Sequence, residues 1–441
     1  MDVISALIIL GVIMVLGFIG NYIFNRTQIP SIVWLLLFGL IVGAFFKFES
    51  FQVTYPELLM TISSFFGAIA IVIILFDGGI NTDIYQLFKG APRGLLLTFC
   101  GFFLSFFATI LIVAGLDAAG IINIPGDSFV VGAVLGAIVG GTSSPIVIPL
   151  VYNLKNLHEK TKMALSIESI LTDPLCIVVI FAIYYMVFVV GEINIGLGIG
   201  NLVKTFSVGI VLGFILGFIW LFIMNKLRKE QFSYVLTLAV VFLVYSVTAL
   251  IVGTGEGGEG AGAISCLIFG LVLGNGKKVL KMVNYEGEGF EMDTETKQFH
   301  SLISFIIRTF FFVYLGMIVS FQNINYILFG IIILLLLLVV RYIAIYLSTY
   351  KGKFDLDDKR TMLVMMPRGL AAAILAIKFG DEFVNRYIPG NDGFFKDVAF
   401  VVILGTAIIT TIGVSLICHY EMKKMHENEE QKIEGEIKQE G

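Results

Sequence analysis

Charge is scarce in this 441-residue chain. Asp, Glu, Lys and Arg together make up 14% of it, against about 25% in a typical soluble protein. With 58% hydrophobic residues and a mean hydropathy of +0.95, the composition excludes a water-soluble enzyme and a nucleic-acid binder, and leaves a polytopic membrane protein. The 29 basic and 33 acidic residues nearly cancel, so no polyanionic partner is implied. Cysteine is equally sparse: Cys100, Cys176, Cys266 and Cys418 lie singly inside apolar runs. That spacing excludes a disulfide framework and a thiolate metal site, and fits small apolar side chains in a membrane interior. The four histidines, His158, His300, His419 and His426, are too few and scattered to suggest a metal centre, and no cofactor is indicated. Only nine prolines occur, so each one inside an apolar run is informative.

Long apolar runs are what the chain has in abundance. A transmembrane helix needs about 20 mostly apolar residues, and thirteen stretches qualify: 3–24, 29–46, 58–80, 92–116, 128–153, 160–188, 201–224, 232–252, 259–275, 297–320, 323–349, 358–379 and 395–418. The first run is too long, and its flanks too uncharged, for a cleavable signal peptide. No connection is long enough for a soluble domain, and the charged tail 421–441 is expected to be disordered. The basic residues alternate with the spans. Lys47, Lys378, Arg386 and Lys396 fall on one side, and Lys204, Arg308, Arg341 and Arg368 fall within spans. The other 21 of the 29 collect on the opposite side. By the positive-inside rule that side is cytoplasmic. The N-terminus is then outside and the C-terminus inside, which requires an odd number of spans.

A charge at mid-bilayer costs at least about 2.5–3.5 kcal/mol, so each one is a functional candidate. The candidates are Asp77, Glu168, Asp173, Arg308, Arg341 and Arg368. Glu168 and Asp173 share one span but stand five residues apart, which turns them about 140° from each other on a helix, so they are not a dyad. Ser169 shares a face with Asp173. Asp173 has a hydroxyl beside it and no basic residue within helical reach, the setting of a carboxylate that can hold a proton or a small cation. Glu168 faces elsewhere and calls for an arginine from another helix, with holding helices together as its expected role.

Two spans are interrupted. GGTSSPIVIP places Pro145 and Pro149 within 128–153, and MMPRG places Pro367, Arg368 and Gly369 within 358–379. An interior proline costs about 3 kcal/mol, and at membrane depth the freed backbone is tolerated only inside protein or along a cavity. These are the fifth and twelfth spans, with opposite orientation. Paired broken helices in inverted halves mark the substrate site of a secondary transporter.

At these residues the chain resembles the monovalent cation:proton antiporters, most closely the NhaP-type sodium/proton antiporters of archaea and bacteria. LFDGGI (75–80), GAIVGGTSSP, ESILTDP (168–174), IRTFFFVYLG (307–316), the mid-span Arg341 and MMPRG (365–369) occur in the family's order. The resemblance implies that Asp173 carries the exchanged ion, with Ser169, Thr142, Ser143 and the adjacent Thr172 completing an oxygen shell for a monovalent cation. It implies an ion bridge between Glu168 and Arg341. It places Arg368 at the twelfth-helix break, where it offsets helix dipoles or simply pairs, and Asp77 at the third-helix acidic position, where it lines an inward funnel or caps its helix. It implies a homodimer in the plasma membrane of an archaeon or bacterium, with scaffold helices at 1–90 and 191–320 and a six-helix transport bundle at 91–190 and 321–420.

Two departures bear on chemistry. Thr172 stands where the family usually has Asn and some members a second, proton-carrying Asp, so a single titrating carboxylate favours 1:1, electroneutral exchange. Ser143 stands where the fifth-helix break usually has Asp, which weakens the case for a strongly hydrated cation. The expected activity is exchange of sodium or lithium for a proton, serving pH homeostasis, with potassium/proton exchange as the alternative. A channel would want a continuous pore of carbonyls or acids. A sodium-coupled symporter would need room for an organic solute, and an intramembrane aspartyl protease would need two facing aspartates.

Overall fold

A computed structural model describes residues 3–27, 29–47, 56–122, 124, 126–154, 157–191, 194–227, 230, 232–253, 257–282, 294–319, 323–352 and 354–440. The elements are α1 (Val3–Thr27), α2 (Ser31–Lys47), α3 (Pro56–Ile80), α4 (Ile84–Ala118), α5 (Ser128–Val139), α6 (Ser144–Asn153) and α7 (Glu159–Tyr184, prolonged by a π turn, Tyr185–Val190). After them come α8 (Ile195–Leu227), α9 (Ser233–Val252), α10 (Gly258–Gly274), α11 (Gly276–Met282), α12 (Thr294–Ile318), α13 (Ile324–Thr349), α14 (Leu356–Val364), α15 (Leu370–Tyr387) and α16 (Phe394–Glu440). There is no strand among the described residues. Every apolar stretch picked out above is occupied by a helix or a helix pair. Among the described residues, seven helices are long and apolar enough to cross a membrane, and α5 and α6 together make an eighth, bent by 41°.

The local chemistry explains where helices begin and stop. Asp127 accepts a hydrogen bond from Phe129 N at 2.9 Å and opens α5; Asn323 does the same for α13 through Asn325 N at 3.0 Å. Pro145 sits in the first turn of α6, where its missing N–H costs nothing. Inside the apolar helices, hydroxyls return to their own backbone, as Thr98 does to Gly94 O (2.9 Å) and Thr109 to Ser105 O (2.7 Å). The hydroxyls of Thr98 and Thr109 are thereby satisfied where they are buried. The tail differs from expectation: α16 continues as helix to Glu440 instead of ending in disorder at 421. That stretch has no proline and is rich in Glu, Lys, Gln and Met, which are good helix formers.

Among the described residues, apolar packing falls into two cores. The smaller gathers Phe76, Trp220, Leu221, Val241, Val244 and Phe269 from α3, α8, α9 and α10. The larger includes α5, α6, α7, α13, α15 and α16. Close approach is made by small residues: a side chain at Gly209 or Gly213 of α8 would run into the backbone of α10 at Ala261 or Ser265, the small-residue contact of membrane helices. Outward faces carry exposed Phe99, Phe103, Phe107 and Leu111 on α4, and Leu335, Val339 and Tyr346 on α13. Apolar area of this extent suits lipid rather than water.

Candidate functional site

The two interruptions meet. After α5 ends at Val139 the chain is unwound to Ser143, and between α14 and α15 it is unwound over 365–369. Ser143 N donates to Pro367 O at 2.8 Å, so each break supplies a backbone partner that the other's helix cannot. The Arg368 Nη1 donates to Gly140 O (3.0 Å) and Gly141 O (2.6 Å), and Arg368 N donates to Thr406 Oγ1 of α16 at 3.0 Å. The guanidinium thus covers the orphaned carbonyls at the C-terminus of α5, where a cation is favoured. Its Nε has no partner among the described residues. Gly369 lies so close to Ser143 that a Cβ there would overlap the serine side chain.

The middle of α7 borders this crossing. Thr142 N donates to Thr172 Oγ1 at 3.0 Å, and Thr172 Oγ1 donates back to Thr142 O at 3.2 Å, with the two hydroxyls 3.3 Å apart. Thr172 therefore closes the first break onto α7. Next to it Asp173 is 7% exposed. Among the described residues its carboxylate accepts no hydrogen bond and meets no cation at salt-bridge distance; Arg368 acts on it only through space. A buried carboxylate in this condition is held neutral by a proton or charged by a bound cation. Ser169 is fully buried one turn earlier, yet its hydroxyl is not bonded to Asp173: it donates to Ser166 O at 3.0 Å, as serine commonly does inside a helix.

Glu168 is arranged in the opposite way. Its Oε1 pairs with Arg341 Nη1 of α13, with both residues buried. Arg341 also donates from Nε to Met362 O (2.9 Å) and from Nη2 to Met365 O (2.8 Å), where α14 gives way to the second break. The pair that the face argument required is present, and the arginine holds the end of α14 as well. Sequence reasoning missed that second task, because a side chain's hydrogen bonds to distant carbonyls leave no pattern in spacing.

Asp77, near the end of α3, accepts from Ser301 Oγ of α12 at 3.0 Å and from Asn81 Nδ2 at 2.9 Å. Arg308, on the same α12, interacts electrostatically with it. That cross-helix interaction was not legible in the sequence, which shows Arg308 only as one of the charges within the spans. A small cavity of about 60 Å³ lies nearby, lined by Asn81, Thr82, Tyr152, Met163, Ser166 and Ile170 among others, and Asp77 is not in its wall. At the other end of α10, Lys378 of α15 pairs with Glu259 at 2.5 Å. There Lys378 lies over the rings of Phe181 and Phe379 (5.0 and 5.4 Å). Tyr184, Phe188 and Phe383 extend this aromatic cluster.

Residues 11–419 match the transmembrane sodium/hydrogen exchanger family. The chain belongs to that family. It is 26% identical over 423 residues to Na(+)/H(+) antiporter 1 of Methanocaldococcus jannaschii, covering 94% of each. It is 23% identical to the K(+)/H(+) antiporter NhaP of Alkalimonas amylolytica, over 94% of this chain and 66% of that one. Its fold superposes on the structure of the sodium proton antiporter MjNhaP1 from M. jannaschii at pH 8, with TM-score 0.73 and 24% identity over 96% of this chain and 98% of that one. In this chain the two broken helices cross beside the buried Asp173.

Proposed function

We propose that this chain exchanges one monovalent cation, sodium or lithium, for one proton across a plasma membrane by alternating access. The observation that carries the reading is the contrast between two buried carboxylates on one helix: Glu168 is neutralised by Arg341, and Asp173 beside the crossing has no partner in contact. Asp173 takes a cation or a proton, never both. The unoccupied carboxylate is a bare charge whose passage through the apolar barrier is costly, so only loaded forms cross and the two fluxes are coupled. Ser169, Thr142, Ser143 and Thr172 supply oxygens around it; Ser169 does so by turning its hydroxyl lone pairs toward Asp173. Thr172 cannot carry a second proton, which favours 1:1, electroneutral exchange. Ser143 in place of a carboxylate favours potassium as the second reading, and a relative named as a K(+)/H(+) antiporter supports keeping it.

In this reading the thirteen stretches are thirteen crossings, with the N-terminus outside and the C-terminus cytoplasmic. Residues 1–90 and 191–320 form the scaffold of a homodimer, and 91–190 with 321–420 form the moving bundle. The cavity at Asn81, Tyr152 and Ser166 is the mouth of the cytoplasmic path, and the Lys378–Glu259 bridge closes the outer side. The test is a pH-gradient dequenching assay in proteoliposomes with sodium, lithium and potassium added in turn. Dequenching by wild type and none by Asp173→Asn supports the assignment. Exchange by Asp173→Asn at the wild-type rate removes it, and a rate that follows an imposed membrane potential removes the 1:1 stoichiometry.

A further inference from the structure

Away from the crossing, the fold joins three donors that the sequence keeps far apart. His158, immediately before α7, has Nδ1 3.0 Å from Asp358 Oδ2, across 200 residues, and Nε2 3.9 Å from Asp355 Oδ2. One donor atom from each residue can be chosen so that all three lie within 4.8 Å of one another. Asp358 is buried, whereas the side chains of His158 and Asp355 are 61% and 76% exposed. The trio is therefore anchored on one side and open to solvent on the other.

We propose that His158, Asp355 and Asp358 form a binding site for a divalent transition-metal ion of the zinc type. One imidazole with carboxylates, and a face left for water, is a donor set such ions accept. Donors at about 2.0–2.2 Å from a common ion stand about 3.0–3.5 Å apart, and the His158–Asp358 pair already has that spacing. Asp355, 76% exposed, would leave its capping bond to the α14 backbone to reach the ion. The local charge also favours a cation. Among the described residues neither carboxylate has a Lys or Arg within 4 Å, and the nearby Lys162 and Arg360 are paired with Glu159 and Asp357. Asp358 Oδ2 also accepts from Asp355 N at 3.2 Å, which fixes the carboxylate as part of the cap of α14. Pre-positioning of this kind lowers the ordering cost of binding.

The ion would tie the start of α7 to the start of α14, the helix whose end Arg341 holds. Asp173 lies about 21 Å farther along α7 at 1.5 Å per residue, so this site is separate from the exchanged cation's. The four histidines of the sequence gave no such indication, because the ligands come from two segments that meet only in the fold.

The experiment titrates zinc into the full-length, chelator-stripped protein in detergent by calorimetry, with cobalt absorption reporting the ligand field. One saturable ion per chain is expected. His158→Gln, which keeps a hydrogen-bonding group for Asp358, and Asp355→Asn are each expected to weaken binding by about tenfold or more. Zinc is expected to raise the melting temperature of wild type but not of His158→Gln, whose melt without metal shows that it folds. Asp173→Asn is expected to retain the site, and excess sodium to leave zinc bound. Absence of saturable binding, equal affinity in His158→Gln and Asp355→Asn, or loss of zinc in Asp173→Asn would each overturn the proposal.

Discussion

At the scale of single residues, the two carboxylates of α7 separate structure from chemistry. Glu168 and Arg341 are buried together, and deleting one partner strands the other's charge at a cost of about 3–5 kcal/mol. Glu168→Ala is therefore expected to lower the melting temperature sharply, and the Glu168→Met/Arg341→Met double variant to melt above either single one. The double variant still loses the arginine's bonds to Met362 and Met365, so its recovery is expected to stop short of wild type. Asp173 behaves differently, because a proton and a cation compete for one site. Throughout the range in which that carboxylate is protonated, the apparent KM for the cation is expected to rise about tenfold for each unit of pH lowered, with the maximal rate less affected. A KM independent of pH would contradict competition at Asp173. Helical geometry alone showed that Glu168 faces away from Asp173 and needs an arginine from another helix; that the arginine is Arg341 was implied by the family resemblance. The partner of Ser169 was not legible: a hydroxyl has several acceptors within a turn, and only the fold selects Ser166 O.

At the scale of elements, the crossing depends on two unwound segments fitting against one another. Gly369 has no room for a Cβ because Ser143 is there. Gly369→Ala is expected to destabilise the protein and abolish exchange, and Ser143→Gly in the same chain to restore much of the thermal stability by removing the clashing side chain. Thr172 closes the first break by accepting from Thr142 N. Thr172→Val leaves that buried N–H without its partner, a loss of about 1–3 kcal/mol that a shifted melting temperature would register. Proline and glycine within apolar runs made both breaks visible in the sequence. That Ser143 N meets Pro367 O, and that Arg368 covers Gly140 and Gly141, required the two halves to be placed in space.

At the scale of the whole molecule, one end has a small cavity beside Ser166 and Ile170, and toward the other Lys378 pairs with Glu259 among aromatic rings. The lysine-rich side of the sequence coincides with the cavity end, since Asn275 at the end of α10 bonds Thr82 O at 2.7 Å while Glu259 begins that helix. A single-cysteine protein carrying Ile170→Cys is expected to react with an impermeant maleimide from the cytoplasmic face of oriented vesicles and not from the outer face. Labelling from outside alone would reverse the assigned orientation. Exchange rates are expected to be the same at zero and at clamped membrane potential, which reads out the single titrating carboxylate at the level of the entire cycle.

The long apolar runs, the sidedness of lysine and arginine, the two proline-marked breaks and the identity of the buried acids were all determined by the sequence, because each follows from composition or from periodicity within a single helix. The tertiary structure alone decided which charges are neutralised and which are left unpaired: Arg341 spent on Glu168 and on α14, Asp77 attached to Ser301, and His158 brought to Asp355 and Asp358. Those outcomes depend on contacts between residues as many as 224 positions apart, and separations of that size carry no periodic signal. They are set by how helices pack, since a buried polar group must find its partner wherever the packing places one.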